Sequence, residues 1–262
     1  MKEEDKIKVF CSGLEQFETV GMRLYCEDMI KKMPDYIFEM PSSTTGKYHN
    51  KTQCLPHGQV YHIIMFAEIM NYRLALKGNR EKFKSAEQRD AMRCVAYFHD
   101  ALKLGHNGSS YTVFDHPLLA AEWVRNTVVE HDIEQKIKNV IADMCAAHSG
   151  EFCTSKKSSI VLPEPKNAME FFVHECDILS SRNNIDMEPP EYLKDIFEDV
   201  EVEFDENYIM PFGKYSGQKL IDVYNKRPDY IEWIEQNVNK RELLNMISAM
   251  KKSFEKKENE TK

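Results

Sequence analysis

Several features that define whole classes of protein are missing from this sequence. The seven cysteines form no C-x-x-C pair and are odd in number, which favours reduced thiols over a disulfide framework. The N-terminus, MKEEDKIKVF, has no apolar signal segment, and the longest apolar run, around YHIIMFAEIM, is too short to span a bilayer. We therefore expect a cytoplasmic protein without membrane contact.

An excess of positive charge is missing as well. The formal net charge of −8 argues against a broad basic face that coats duplex nucleic acid, but it leaves room for a local pocket for one phosphate or a short strand. The G-x-x-x-x-G-K-[ST] phosphate loop is also absent, since Pro41 and Tyr48 stand where it needs glycine and serine or threonine. What remains is an ordinary globular composition, 42% hydrophobic and 30% charged.

Hydrophobic residues recur at three- and four-residue steps as far as about residue 182, which predicts a mainly α fold. The spacing predicts helices over 57–76, 86–103 and 133–148, another that begins near Pro117, and one over 167–182 after LPEP. We expect these helices to form one bundle over residues 1–187.

The remainder of the chain changes character. An acidic segment over 188–207 is typical of a solvated linker, and two glycines in MPFGKYSGQKL then predict a short hairpin followed by helical pieces broken at Pro228. We expect a small α/β C-terminal module over 208–250 and a charged tail over 251–262.

Several helical stripes carry a histidine or an aspartate where an apolar residue is expected. These residues are His62, His99 with Asp100 directly after it, His148 and Asp177. A lone buried carboxylate costs several kcal/mol unless it is paired or coordinated, so Asp177 needs a partner. Each histidine taken alone is more typical of a hydrogen-bonded core residue, but the whole set favours a divalent cation bound between helices.

The order His62 … His99-Asp100 … Asp177 resembles the HD-domain metal-dependent phosphohydrolase superfamily, over roughly residues 40–185. PSSTTGKYHNKTQCLPHGQVYH and LPEP … FFVHECDILSSR resemble segments of a bacterial and phage subgroup related to HD-type 3′-to-5′ exoribonucleases. The resemblance implies an HD-domain helical bundle in a bacterial cytoplasm, phage-encoded proteins included. The sequence departs from the subgroup at HGQVYH, where two glycines are usual (G-G-L-x-x-H), which predicts a differently shaped loop before His62.

The resemblance also implies one or two divalent ions. Manganese is favoured, with Fe²⁺, Ni²⁺, Co²⁺ or Mg²⁺ as alternatives, since imidazole and carboxylate ligands suit these ions. The implied ligands are His62, His99, Asp100 and Asp177 for the first ion, and Asp100, His116 and His148 for the second. His116 stands at a predicted helix start, where a role as a helix cap is the alternative.

The resemblance further assigns catalytic and substrate-binding roles. Asp100 and Lys103 are implied as catalytic residues, with Lys103 neutralising charge on the phosphoryl oxygens. Lys47, His49 and Ser43 are implied as substrate-binding residues, and an ordinary polar loop is the alternative for this segment.

The C-terminal PFGKYSGQKLIDVYNKRPDYIEWI resembles a module appended to some DEDD-type exonucleases. Its aromatic residues could stack on bases or could pack a small core. We therefore expect a metal-dependent phosphohydrolase that cleaves phosphodiester bonds of nucleotides or short single-stranded nucleic acid. A nucleotidase or deoxynucleoside triphosphatase is the alternative within the same chemistry, and a non-catalytic nucleotide-binding sensor or a structural interaction protein is the alternative outside it.

Overall fold

A computed structural model describes residues 1–43, 49–182, 184–185, 190–196, 204–238 and 241–260. The chain divides into two compact units, Met1–Pro189 and Pro190–Lys262. The described residues are mainly helical and contain no β-strand, so the prediction of a mainly α fold with a helical bundle is confirmed.

Nine α-helices make up the described part of the first unit. They are α1 (Glu3–Val9), α2 (Cys11–Leu14), α3 (Val20–Lys31), α4 (Gly58–Ala75), α5 (Lys77–Lys82), α6 (Ala86–Phe98), α7 (His116–Asn126), α8 (Gln135–Ala147) and α9 (Ala168–Ser180), with short 3-10 turns at Asp35–Phe38 and Thr52–Cys54. The five predicted helices correspond to α4, α6, α7, α8 and α9.

Helix α4 lies at the centre of the bundle. Its side chains Val60, Ile63, Phe66 and Met70 recur every three or four residues and are fully buried, as one inward helix face requires. Helix α4 packs against α6 and α9, while α8 contacts α6, α7 and α9. Burying each large apolar side chain contributes roughly 1.5–3 kcal/mol, so the packing around α4 holds the bundle together.

Helix α6 ends at Phe98, so the predicted helix over 86–103 is too long. From Ala101 onward the backbone hydrogen bonds are of the tighter i−3 type, as in Lys103 N–H to the Asp100 carbonyl at 2.9 Å. Gly105 then takes a φ of 71°, which a right-handed helix does not contain. The His-Asp pair therefore stands just past a helix end and not inside a helix.

The loop before α4 is closed by His57 and Gly58. His57 adopts a left-handed conformation with a φ of 63°, which glycine reaches at lower cost, and its Nδ1 lies 2.5 Å from the Phe38 carbonyl. A side chain at Gly58 would overlap the backbone of Gln53. The histidine that replaces the first glycine of the family pattern therefore still takes a backbone conformation suited to glycine.

Helix α9 begins at a well-formed cap. The side-chain oxygen of Asn167 accepts from the backbone N–H groups of Met169 at 2.9 Å and Glu170 at 3.2 Å. The Glu170 carboxylate in turn accepts from the N–H of Lys166, the residue before the cap, at 2.6 Å, one residue earlier than in a capping box. This cap fixes where α9 starts and hence where Asp177 lies along it.

The second unit contains α10 (Tyr192–Ile196), α11 (Leu220–Lys226), α12 (Pro228–Asn237) and α13 (Arg241–Glu260). Its core includes Leu220, Ile231, Ile234 and Ile247, all fully buried. Among the described residues the expected hairpin is reduced to one isolated antiparallel bridge between Ile209 and Lys219, so the module expected to be α/β is helical here. Helix α13 continues through most of the predicted charged tail.

The glycines and aromatics of the FGKY segment pack within the second unit. Gly213 has a φ of 81°, and a side chain there would come within 2.5 Å of the Tyr230 hydroxyl. The Tyr230 ring contacts those of Tyr215, at a centroid distance of 4.9 Å, and Trp233, at 5.8 Å. Trp233 is nevertheless 51% exposed, so this cluster packs on one side and faces solvent on the other.

Candidate metal centre

The six predicted metal ligands come together in the first unit. His62 lies on α4, His99 and Asp100 follow α6, His116 opens α7, His148 follows α8 and Asp177 lies on α9. Apart from His116 and Asp177, which are half-buried, these residues are buried. Two groups of side chains have ligand atoms close enough to hold an ion, His62 with His99 and Asp177, and His99 with Asp100 and His148.

Three of the histidines are oriented by the same local contact. The Nδ1 atom of His99 lies 3.2 Å from the Ala96 carbonyl, that of His116 lies 2.8 Å from the Val113 carbonyl, and that of His148 lies 2.7 Å from the Cys145 carbonyl. A carbonyl oxygen only accepts, so each Nδ1 carries the hydrogen. In the neutral tautomer the Nε2 atom of each ring is then left with a lone pair.

His62 reaches the same state through Ser180. The Ser180 hydroxyl donates to the Asp177 carbonyl at 2.7 Å and therefore accepts from His62 Nδ1, 3.2 Å away. Metal-binding histidines commonly donate the hydrogen of the non-ligating nitrogen to such a partner, which fixes the tautomer and the ring orientation. Ser180 could not be selected from the sequence, where its only signal is its place one turn after Asp177.

The Nε2 atoms point toward one another and toward the carboxylates. His62 Nε2 lies 3.1 Å from His99 Nε2 and 3.1 Å from Asp177 Oδ1, while His99 Nε2 lies 3.3 Å from Asp100 Oδ2. Lone pairs at this separation repel unless a proton or a metal ion lies between them. Two ligand atoms that are each about 2.1 Å from one ion, at right angles, stand about 3 Å apart. The spacing of this first group therefore fits a bound divalent ion.

The second carboxylate oxygen of Asp100 meets the other imidazoles. His116 Nε2 lies 3.0 Å from Asp100 Oδ1, and His148 Nε2 lies 3.9 Å from it. With the hydrogen of His116 on Nδ1, Asp100 Oδ1 is buried and has no donor among the described residues. A buried, unsatisfied carboxylate oxygen is costly, and a second cation at this point would satisfy it.

The electrostatics of the site favour metal-binding protonation states for the two carboxylates and for His148. At His99 burial lowers the pKa, but the charges of Asp100 and Asp177 outweigh burial and raise it. Burial alone would raise the pKa of Asp100, but the charge of Lys103 and the adjacent imidazoles outweigh burial and hold that pKa well below its usual value. The pKa of Asp177 is likewise lowered, because His62 and the neighbouring imidazoles outweigh the effect of burial. Burial lowers the pKa of His148 to about 3. At neutral pH both carboxylates are therefore charged and His148 is neutral, as metal ligands must be.

Lys103 and Asp100 belong to one polar network. The sequence predicted these two residues but not their partners Gln59 and Ser42. Lys103 Nζ donates to Asp100 Oδ2 at 2.6 Å, to Gln59 Oε1 at 3.1 Å and to the Ser42 hydroxyl at 3.4 Å. Gln59 is fully buried, and its Nε2 donates to Asp100 Oδ2 at 3.0 Å. Gln59 occupies the position of the leucine in the G-G-L-x-x-H pattern. A polar residue in place of that leucine is the feature of the sequence that points to Gln59.

A cavity of about 330 Å³ opens onto the ligand cluster. Its other walls are formed by residues that sequence analysis did not select, among them Ser149, Phe152, His174, Ser181 and Arg182. Phe152 is 55% exposed, and Arg182 is exposed with no ion pair among the described residues. The cavity thus presents an aromatic ring and a guanidinium group to whatever occupies it.

The three predicted substrate-binding residues have different positions. His49 lines the cavity, and its Nδ1 lies 2.7 Å from Gln53 Oε1. Burial lowers the pKa of His49 to about 3, so this residue brings a neutral ring to the cavity. Ser43 is half-buried and is not among the residues that line the cavity, and Lys47 lies outside the described residues.

The second unit is similar in part to a known protein family. Residues 210–239 match the family described as exodeoxyribonuclease X-like C-terminal. No curated protein and no solved structure gives a significant match to the chain. None of the described helices is long and apolar enough to cross a membrane. Residues 210–239 are therefore similar to a C-terminal module of exonucleases, while the resemblance of the first unit to HD phosphohydrolases depends on its motifs.

Proposed function

We propose that the chain is a metal-dependent phosphohydrolase of the HD type that cleaves phosphodiester bonds in nucleotides or in short single-stranded nucleic acid. The observation that carries this proposal is the convergence of the Nε2 atoms of His62, His99, His116 and His148 on two charged carboxylates, of which Asp100 is buried and Asp177 is half-buried. The order of the ligands along the chain, which resembles the HD superfamily, supports it independently.

The first ion would be held by His62, His99 and Asp177 with Asp100 Oδ2, and the second by His116 and His148 with Asp100 Oδ1. The proposed ligand atoms are imidazole nitrogens and carboxylate oxygens, which suit Mn²⁺, with Fe²⁺, Co²⁺, Ni²⁺ and Mg²⁺ as alternatives. When bound, such ions lower the pKa of water and so supply a nucleophile for attack on phosphorus. The chain itself supplies the orientation of the ligands and the positive charge beside them.

Asp100 and Lys103 act together in this proposal. Gln59 and Lys103 both donate to Asp100 Oδ2, which fixes the carboxylate plane so that Oδ1 faces His116. Lys103 is 7% exposed and lines the cavity, where its ammonium group would stabilise charge that develops on phosphoryl oxygens. In this role Lys103 is a catalytic residue, and Gln59 positions it.

The cavity and the C-terminal unit support a nucleic-acid-derived substrate. Phe152 offers a ring on which a base could stack, and Arg182 offers a planar cation suited to a phosphate. The cavity volume lies at the small end of the usual range for ligand sites, which favours one nucleotide or the end of a strand. The exonuclease-related module over 210–239 favours the strand end.

A nucleotidase or deoxynucleoside triphosphatase is the second candidate, and the small cavity is the observation that favours it. The non-catalytic sensor is disfavoured, because the ligand set is complete and Lys103 lies beside Asp100. All seven cysteines are free thiols, which supports the proposed location in a reducing bacterial cytoplasm, phage-encoded proteins included.

Metal analysis and a phosphodiesterase assay test the proposal. The purified chain should retain one or two divalent ions, and Mn²⁺ should stimulate cleavage of bis-p-nitrophenyl phosphate. Asp100→Asn should abolish both ion retention and cleavage, while the matched control Asp143→Asn, an exposed aspartate paired with Arg125, should change neither. A chain that binds no divalent ion would refute the proposal.

A substrate panel separates the two candidates. Single-stranded RNA, single-stranded DNA, cyclic nucleotides, mononucleotides and deoxynucleoside triphosphates should be compared with Mn²⁺ present. Shortening of single strands from one end supports the exonuclease. Turnover of mononucleotides or triphosphates alone would replace it with the second candidate.

A further inference from the structure

His174 lies on α9, three residues before Asp177, and contacts the turn that follows α8. Its Nδ1 lies 2.7 Å from the carbonyl oxygen of His148. Its Nε2 lies 2.8 Å from Oε2 of Glu151. A carbonyl only accepts, so His174 donates its Nδ1 hydrogen to the main chain of a proposed metal ligand. Sequence analysis gave this histidine no role.

The turn packs directly against the His174 ring. Gly150 has a φ of 54°, and a side chain built there would overlap the imidazole of His174. The close approach and the left-handed backbone both require glycine at this position. The ring of His174 and the backbone of Gly150 therefore fit together as one contact, and His174 is itself only 7% exposed.

The main chain at His148 has little other support from its own helix. Its N–H reaches the Cys145 carbonyl only at 3.5 Å, because α8 has already ended at Ala147. Its side chain is held by the 2.7 Å contact between Nδ1 and the Cys145 carbonyl. The bond from His174 fixes the other end of the residue, the backbone carbonyl. Together these two contacts determine where His148 Nε2 points.

We propose that His174 is a positioning residue, which holds His148 in place through its carbonyl and so maintains the ion site formed with Asp100 Oδ1 and His116. Because His174 and Asp177 share one turn of α9, the same contact sets the distance between the first and the second group of ligands. This inference rests on the proposed function, since it concerns ligands of the proposed metal centre.

Three variants test the role of the Nδ1 hydrogen bond. His174→Asn places an amide N–H near the position of Nδ1 and retains the bond to the carbonyl. His174→Leu removes both polar contacts, and Glu151→Gln alters only the exposed partner of Nε2. Mn²⁺ binding is measured by calorimetric titration, and the melting temperature of each metal-free variant is measured alongside.

His174→Leu should weaken the second Mn²⁺ by about 10- to 100-fold, the usual cost of losing a group that orients a ligand. The first Mn²⁺, at His62 and Asp177, should change by less than about threefold, and His174→Asn and Glu151→Gln should stay near wild type. If His174→Leu fails to fold, His174→Gln replaces it, since its longer amide reaches the Nε2 position and not the Nδ1 position.

Two results would overturn the inference while leaving the proposed function standing. One is a lowered metal-free melting temperature with unchanged Mn²⁺ affinities, which would make His174 a purely structural residue. The other is a wild type that binds a single ion whose affinity is the same in His174→Leu. A wild type that binds no divalent ion would instead refute the proposed function itself.

Discussion

Replacement of Asp177 by asparagine should remove most of the stabilisation that Mn²⁺ gives the first unit. Asp177 Oδ1 lies 3.1 Å from His62 Nε2 and 3.8 Å from His99 Nε2, so the carboxylate supplies the negative charge of this ligand group. Asparagine keeps the shape and loses the charge. Losing a charged ligand should weaken binding by at least about 100-fold, because even orienting partners cost 10- to 100-fold.

The expected magnitude follows from mass action. At a Mn²⁺ concentration 100 times the Kd, the ion adds about 2.7 kcal/mol to the free energy of unfolding of the wild type. For a unit the size of Met1–Pro189, this corresponds to a rise in melting temperature of about 5–10 °C. A 100-fold weaker Asp177→Asn variant at the same Mn²⁺ concentration gains only about 0.4 kcal/mol, or about 1 °C.

The assay is thermal unfolding with Mn²⁺ and with a chelator, and the quantity compared is the difference between the two melting temperatures. Changes in metal-free stability cancel in this difference. Asp143→Asn, which alters an exposed pair with Arg125, is the matched control and should keep the full rise. Equal rises in the wild type and in Asp177→Asn would show that Asp177 does not bind the ion, and would refute the geometric argument for the first group.

Three further predictions concern the network beside the metals, the cavity and a distant ion pair. Gln59→Leu should lower kcat for bis-p-nitrophenyl phosphate by more than tenfold, because hydrogen bonds to charged groups contribute about 1.5–3 kcal/mol each. The affinity for Mn²⁺ should change by a smaller factor than kcat. An unchanged kcat would show that Gln59 does not position Lys103. Phe152→Ala should raise KM for the natural substrate by about 10- to 100-fold, since base stacking contributes about 1–3 kcal/mol; equal loss on a strand whose terminal nucleotide lacks its base would contradict the stacking role. Arg182→Ala should raise KM by a similar factor with or without that base, since hydrogen bonds to charged groups contribute about 1.5–3 kcal/mol; an unchanged KM would contradict the phosphate-binding role. Hydrogen bonds from Arg89 lower the pKa of Glu18 to about 2, so Glu18 stabilises the fold above its unfolded pKa of 4.5, and this stabilisation is lost as the pH falls toward 2. Glu18→Gln should therefore flatten the curve of unfolding free energy against pH between 4.5 and 2, by up to about 3 kcal/mol before solvent screening, as measured by urea denaturation at each pH.

The helices of the first unit could be predicted because their apolar periodicity is strong. Helix α4 was predicted over 57–76 and spans Gly58–Ala75, and the helix predicted over 167–182 spans Ala168–Ser180. The end of α6 at Phe98 was missed, because Leu102 continues the apolar stripe into a segment of i−3 turns. Periodicity reports which side chains are buried, and it does not distinguish a helix from the buried turns that follow it.

The metal-binding candidates could be predicted from the sequence, whereas the cavity wall could not. A histidine or aspartate on an apolar stripe has few low-cost explanations, so His62, His99 and Asp177 stood out in the sequence. Phe152 and Arg182 lie in segments where aromatic and basic residues are unremarkable, and only the packing of α8 against α9 places them on one cavity wall. Their position on the cavity wall depends on tertiary packing, which cannot be derived from the local pattern of one sequence.

The local geometry of the histidines connects the helix boundaries to the proposed metal centre. His99, His116 and His148 each donate from Nδ1 to the carbonyl three residues earlier, and each stands at a helix boundary. At the end of a helix the last carbonyls have no partner within the helix, so His99 and His148 each satisfy one of them and become rigid as a result. His116, at the start of α7, makes the same contact to the turn that precedes its helix. The rigid ring then directs Nε2 away from its own helix. Three such rings from three helix boundaries can meet at one point only if the bundle is packed correctly, so the fold and the proposed metal centre determine each other.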